Sequence, residues 1–179
     1  MQELRVFTFV HKYFLGEKKE SLLFLIIGIA AIALAIVFYF LKKANPSFFK
    51  GAAIPLVAIG IIQCVVGYAV YARSDKQRVD IAYNIGMEPA AFTKQTELPR
   101  MEKVMKNFVI YRYVEILLAL AGLGLFLYFR NDETKMFLKG FGLTLAIQAL
   151  LMLGADYFAE KRGLFYQKEL EHLLAGGMH

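Results

Sequence analysis

Four stretches of this chain are each long and apolar enough to cross a bilayer, and no other feature limits its fold so severely. They are Ser21–Leu41, Gly51–Ala72, Phe108–Phe129 and Met136–Ala159. A hydrocarbon core about 30 Å thick takes roughly 20 residues of helix. Inside it every backbone N–H and C=O must be satisfied within the protein, which a helix does by itself. The first stretch carries no charge, and each of the others has a few polar interruptions. Composition agrees: 58% of residues are hydrophobic and 20% charged, where soluble domains sit nearer half and a quarter. The sequence therefore predicts an all-α integral membrane protein with four transmembrane helices, a four-helix bundle. A cleaved signal peptide is the rival reading of the first stretch. Its apolar run outlasts the roughly 7–15 residues of a secretory core, and Leu41-Lys42-Lys43 is no small-residue cleavage site, so the stretch is kept as a membrane helix.

The apolar hairpin is written twice. Residues 37–51, VFYFLKKANPSFFKG, are matched by residues 126–140, FLYFRNDETKMFLKG, at an offset of 89. Tyr39, Phe40, Phe48, Lys50 and Gly51 meet Tyr128, Phe129, Phe137, Lys139 and Gly140, and ten of the 44 positions from 30 to 73 are identical without a gap. Each copy holds two spans, so both copies cross in the same direction and their pseudo-two-fold axis lies along the membrane normal, as in parallel repeats. The expectation is two tandem helical hairpins. Aromatic rings flank both short turns, Asn45-Pro46-Ser47 and Asn131-Asp132-Glu133-Thr134, as an interfacial belt.

Four regions follow along the chain. Residues 1–16 place Leu4, Phe7, Val10 and Phe14 at helical spacing among charged residues, which predicts an amphipathic helix lying in the headgroup region, bounded by Gly16. Residues 17–85 form the first hairpin with a helical extension, its stripe continued by Val79, Ala82 and Tyr83. Residues 86–96, with Gly86 and Pro89, read as a linker. Residues 97–179 form the second hairpin with a C-terminal amphipathic helix, Phe165, Tyr166, Leu170 and Leu173 giving its stripe and Gly176-Gly177 a frayed end. A helix opens near Thr96-Glu97-Leu98-Pro99, where Thr96 can cap and Pro99 suits the first turn. Its stripe Leu98, Met101, Val104, Met105 and Phe108 leads into the third span, so the helices project past the bilayer and pack there.

Lys and Arg beside the spans set the orientation. Residues 1–20 hold four, the 73–107 connection seven and the tail after 159 three, against three in each hairpin loop. The positive-inside rule then places both termini and the middle connection in the cytoplasm of an inner (plasma) membrane. The net charge of +6 lies beside spans, where anionic lipid accounts for it, and nucleic acid is not expected as a partner.

Polar groups in hydrocarbon are costly and mark a bundle interior or a cavity. The predicted intramembrane polar site comprises Arg112, Glu115, Asp156, Gln63, Gln148, Tyr68 and Tyr157. Arg112 and Glu115, three residues apart on one face, are expected to pair. The tyrosines, Tyr111 among them, would donate hydroxyls. Gln63 and Gln148 would bond across the bundle, while Gly60, Gly67, Gly122 and Gly124 would let backbones approach. Cys64 is the one cysteine, so no internal disulfide exists. His11, His172 and His179 form no metal-ligand spacing, and no phosphate loop or nucleophile motif is present. No enzyme, cofactor or metal is expected. Two functions fit: a non-enzymatic membrane protein acting through homo-oligomerisation or a membrane partner, or a small oligomeric channel or transporter for ions or protons using the Arg/Glu/Asp/Gln cluster.

Overall fold

The computed structural model describes residues 2–40 and 46–176, with side chains from residue 7 onward. Leu4's side chain, the Lys42-Lys43 loop with Asn45, and Gly177 and His179 lie outside that description. Helix α1 runs Gln2–Phe40, α2 Pro46–Met87, a short α3 Pro89–Phe92, α4 Leu98–Tyr128 and α5 Met136–Gly176. At 1.5 Å per residue the 39 to 42 residues of α1, α2 and α5 span about 60 Å, twice the bilayer core. The four long helical stretches are each apolar enough to cross a membrane.

Those long helices lie in a row. Helix α1 packs on α2, α2 on α5, and α5 on α4, with α1 also reaching α5. Helices α2 and α5 cross reciprocally near the turns: a methyl on Gly51 would run into the Phe137 backbone, and one on Gly140 into that of Phe48. Thr144 adds a hydroxyl 3.0 Å from the Ala52 carbonyl across this contact. Within each hairpin a glycine pair does the same work. A Cβ on Gly28 would lie 2.7 Å from the Gly60 carbonyl, and one on Gly122 would lie 2.7 Å from the Gly142 carbonyl. Gly67 likewise faces α1 at Ser21 and Leu25, but Gly124, expected among these contacts, faces open space. The second turn is fastened as its residue types suggest, Asp132 accepting from the Thr134 amide at 2.8 Å and hydroxyl at 2.6 Å.

The best-packed core lies outside the apolar segments, where both ends of the chain meet the middle connection. Phe9, Val10, Tyr13 and Phe14 of α1, Ile81, Ala82 and Ile85 of α2, Met101 of α4, and Tyr166 and Leu170 of α5 bury one another there. This corrects two expectations. Residues 1–16 are no separate interfacial helix: α1 passes unbroken through Gly16, and Val10 and Phe14 are buried against protein. Glu17-Lys18-Lys19-Glu20 are good helix formers, and Gly16 gives room to the Arg162 side chain rather than a break. On α2 the inward stripe is Ile81, Ala82 and Ile85, while Val79 and Tyr83 face outward.

Residues 86–96 are mostly helical as well. After a bend at Glu88, α3 leads into a π-helical turn, Thr93–Glu97, closed by the Leu98 amide donating to the Thr93 carbonyl. Pro99 explains the widening, because its ring has no N–H and clashes with the carbonyl four residues back. Thr96 therefore caps nothing and is exposed.

Candidate functional site

The sequence put seven polar residues into one intramembrane cluster; the structure divides them among four places. Helices α4 and α5 run antiparallel, so a residue three positions further along α4 faces one about four positions earlier on α5. This places Arg112 against Glu160 and Glu115 against Asp156. The expected Arg112–Glu115 pair is thus corrected. Arg112 makes its ion pair with Glu160, a residue just past the predicted end of the fourth span. Glu115, only 2% exposed, turns its carboxyl to that of Asp156. Its Oε2 has no donor. Two carboxyl groups attract only while a proton or another cation lies between them.

A cleft of about 450 Å³ opens beside these pairs. Arg112, Asp156 and Glu160 form its polar end, and Ile116, Leu150 and Leu153 its deeper apolar end. Tyr157 also lines it, as do Phe108 and Phe158. Tyr157 thus stays with the cluster. Tyr68 and Tyr111 do not: Tyr111 does not line the cleft, and Tyr68 stands on α2, away from the α4–α5 interface.

The two glutamines lie elsewhere. Gln63 is fully buried on α2, its Cβ 2.9 Å from where a Gly28 Cβ would be, and both its amide atoms lack a partner. Gln148 continues the α5 face that carries Gly140 and Thr144 toward α2, and its Oε1 is also unpartnered. The expected hydrogen bond between these amides is not formed.

A further polar constellation escaped the sequence reading. In the terminal core, Glu97 of the π-turn accepts from Arg100 twice, Nε to Oε2 at 2.8 Å and Nη2 to Oε1 at 2.7 Å. The Tyr166 hydroxyl donates to Oε1 at 2.8 Å. Tyr13 stacks on Tyr166 with ring centroids 4.2 Å apart, and the Arg162 guanidinium lies over Tyr13 at 5.4 Å. Burial, with help from the Glu17 charge, pushes the Tyr13 phenol up to about 12. Burial and the adjacent Glu97 push Tyr166 up as well. The only local signal for this network was the Glu97/Arg100 spacing.

No protein-family model, curated protein or solved structure matches this chain. The site stands on its own geometry. Among the described residues no group of three His, Cys, Asp or Glu side chains could hold a metal ion.

Proposed function

We propose that this is a non-enzymatic four-span membrane protein of an inner (plasma) membrane, with both termini in the cytoplasm. It acts by associating through α4 with a second copy of itself. The two hairpins are read as tandem repeats, α1 corresponding to α4 and α2 to α5. The observation that carries the proposal is the uneven cover of those equivalent helices. Helix α1 packs on α2 and reaches across to α5; α4 packs on α5 and makes no comparable contact with α2. Only 11% of the most apolar window of α4 is buried, against 22% for its equivalent α1 and 33% for α2 and α5. Leu117, Leu120 and Leu127 stand out along the open side. Apolar side chains gain little from leaving lipid for another helix, so association there rests on shape and on relief of polar groups. The place beside α4 suits a helix from another chain.

Native mass spectrometry of the detergent-solubilised chain tests this. A dimer or larger assembly is expected, with Leu120→Cys forming a disulfide between copies in a Cys64→Ser background. A monomer at all concentrations, with no crosslink, overturns the reading.

The Glu115–Asp156 contact favours a second reading, transfer of protons or small cations. Its support is local, because the polar groups stand in separate places: Gln63 against α1, Gln148 on the α5 face toward α2, and Arg112 engaged by Glu160. Flux into liposomes that disappears in Asp156→Asn would establish it, and absence of flux in folded protein would dismiss it.

A further inference from the structure

The cleft between α4 and α5 has two unlike ends, and their chemistry specifies a ligand independently of any assembly. Its polar end carries one guanidinium and two carboxylates, Arg112 with Glu160 and Asp156. A third carboxyl, Glu115, lies directly behind Asp156 with an oxygen that receives no hydrogen bond. Arg112 is already matched by Glu160, so the Asp156–Glu115 side is the part left wanting positive charge. Phe108, Tyr157 and Ile116 make the walls apolar and aromatic. Faces of aromatic rings attract organic cations, and a carboxylate in an apolar setting strongly favours a positive neighbour. From Glu160 to Leu150 along α5 is about 15 Å at 1.5 Å per residue. The groove holds about 450 Å³, within the roughly 300–1,000 Å³ of ligand sites, but it is open along its outer side, where Leu150, Tyr157 and Phe158 are exposed.

We propose that the α4–α5 cleft binds a lipophilic organic cation, its positive centre against Asp156 and its apolar body along Ile116 and Leu150. An anionic headgroup is disfavoured, because it would bring its charge to a place with three carboxyls and one committed arginine. A zwitterionic phospholipid meets the same objection at its phosphate.

Gly154 offers a clean way to close the cleft. It lines the cavity, and a Cβ built on it meets nothing within 4 Å. Gly154→Leu therefore fills the space without striking backbone, and it replaces a poor helix former with a good one. The test uses the full chain in dodecylmaltoside and radiolabelled tetraphenylphosphonium, with tetraphenylborate as a probe of the same shape and opposite charge. Saturable binding of the phosphonium is expected, at least tenfold weaker in Asp156→Asn and lost in Gly154→Leu with an unfolding temperature no lower than the parent's. Arg112→Gln should bind it at least as well as the parent chain. Equal or tighter binding of tetraphenylborate, or phosphonium binding that survives Gly154→Leu, overturns the proposal. Displacement by added phosphatidylethanolamine but not phosphatidylglycerol would assign the cleft to a lipid amine and also overturn it.

Discussion

The terminal core satisfies its buried carboxyl, Glu97, though not the Thr93 hydroxyl of the same π-turn, whereas the apolar segments leave the carboxyl of Glu115 and two buried amides short of partners. In the core, Glu97 receives three hydrogen bonds, and Tyr166, which donates one of them, packs against the rings of Tyr13 and Phe14. In the spans, the Gln63 amide has no partner at either atom, Gln148 lacks one at Oε1, and Glu115 has an oxygen without a donor. The medium makes the contrast instructive. In the membrane arrangement proposed above, hydrocarbon holds a span helix in place whatever its neighbours do, so its contacts can stay open for a ligand or another helix. The helix ends beyond the apolar segments have only each other, and there packing and hydrogen bonding must hold the four helices together.

The largest expected effect breaks the first half of that comparison. Glu97→Leu leaves the Arg100 guanidinium beside a buried apolar site and takes the acceptor from Tyr166. Removing one member of a buried pair costs about 3–5 kcal/mol, and the partial exposure of Arg100 places this change near the lower end, about 3 kcal/mol. Thermal unfolding in a single detergent measures it. A loss under about 1 kcal/mol would mean that the core is held by its apolar contacts alone.

A smaller effect is expected in alkali. The Tyr13 phenol rises from an ordinary 10.0 to about 12 in the folded chain. The unfolded chain gives up this proton first as pH rises. The contribution of Tyr13 is therefore complete below about pH 10 and lost as pH climbs through about 12, a change of roughly 2.7 kcal/mol over that window. Tyr13→Phe should flatten the fall in unfolding temperature across it. An identical fall in parent and variant would show that other groups govern the alkaline transition.

How much of this was legible depends on which force decided each feature. The spans were readable because transfer into hydrocarbon depends on the residues of one segment alone. The pairing of Arg112 was not. Spacing along one helix names Glu115 as its neighbour, whereas Glu160 becomes its partner only through the register between α4 and α5, which no single segment encodes. Gly16 and Pro99 misled for a related reason. Each reads as a break by local preference, yet tertiary packing carried α1 through Gly16, and a π-turn absorbed Pro99 beside the Glu97 network. The Gly51–Phe137 and Gly140–Phe48 contacts differ again: the repeat pairs those positions, but only the crossing of α2 on α5 gives the pairing a purpose.

That register carries a prediction of about 1 kcal/mol. In a double-mutant cycle on thermal stability, Arg112→Leu and Glu160→Gln should couple by roughly that amount, since Glu160 is largely buried and Arg112 only partly so. Arg112→Leu and Glu115→Gln should be additive within error. Strong coupling to Glu115 would restore the intrahelical pair and remove the basis for a carboxyl-rich cleft.

The smallest effect sharpens the other half of the comparison. Gln63 is wholly enclosed by its own chain, so its bare amide cannot be waiting for a second copy. Interhelical hydrogen bonds within membranes average only about 0.6 kcal/mol, and here the bond is not made, while an unsatisfied buried amide costs about 1–3 kcal/mol. Leucine fills a similar volume without polar atoms. Gln63→Leu should therefore raise stability by about 0.5–1 kcal/mol and leave the oligomeric state unchanged in native mass spectrometry. Destabilisation would mean that the amide finds a partner when the spans move against one another, and a change of assembly would place the contact between copies at α2 rather than α4.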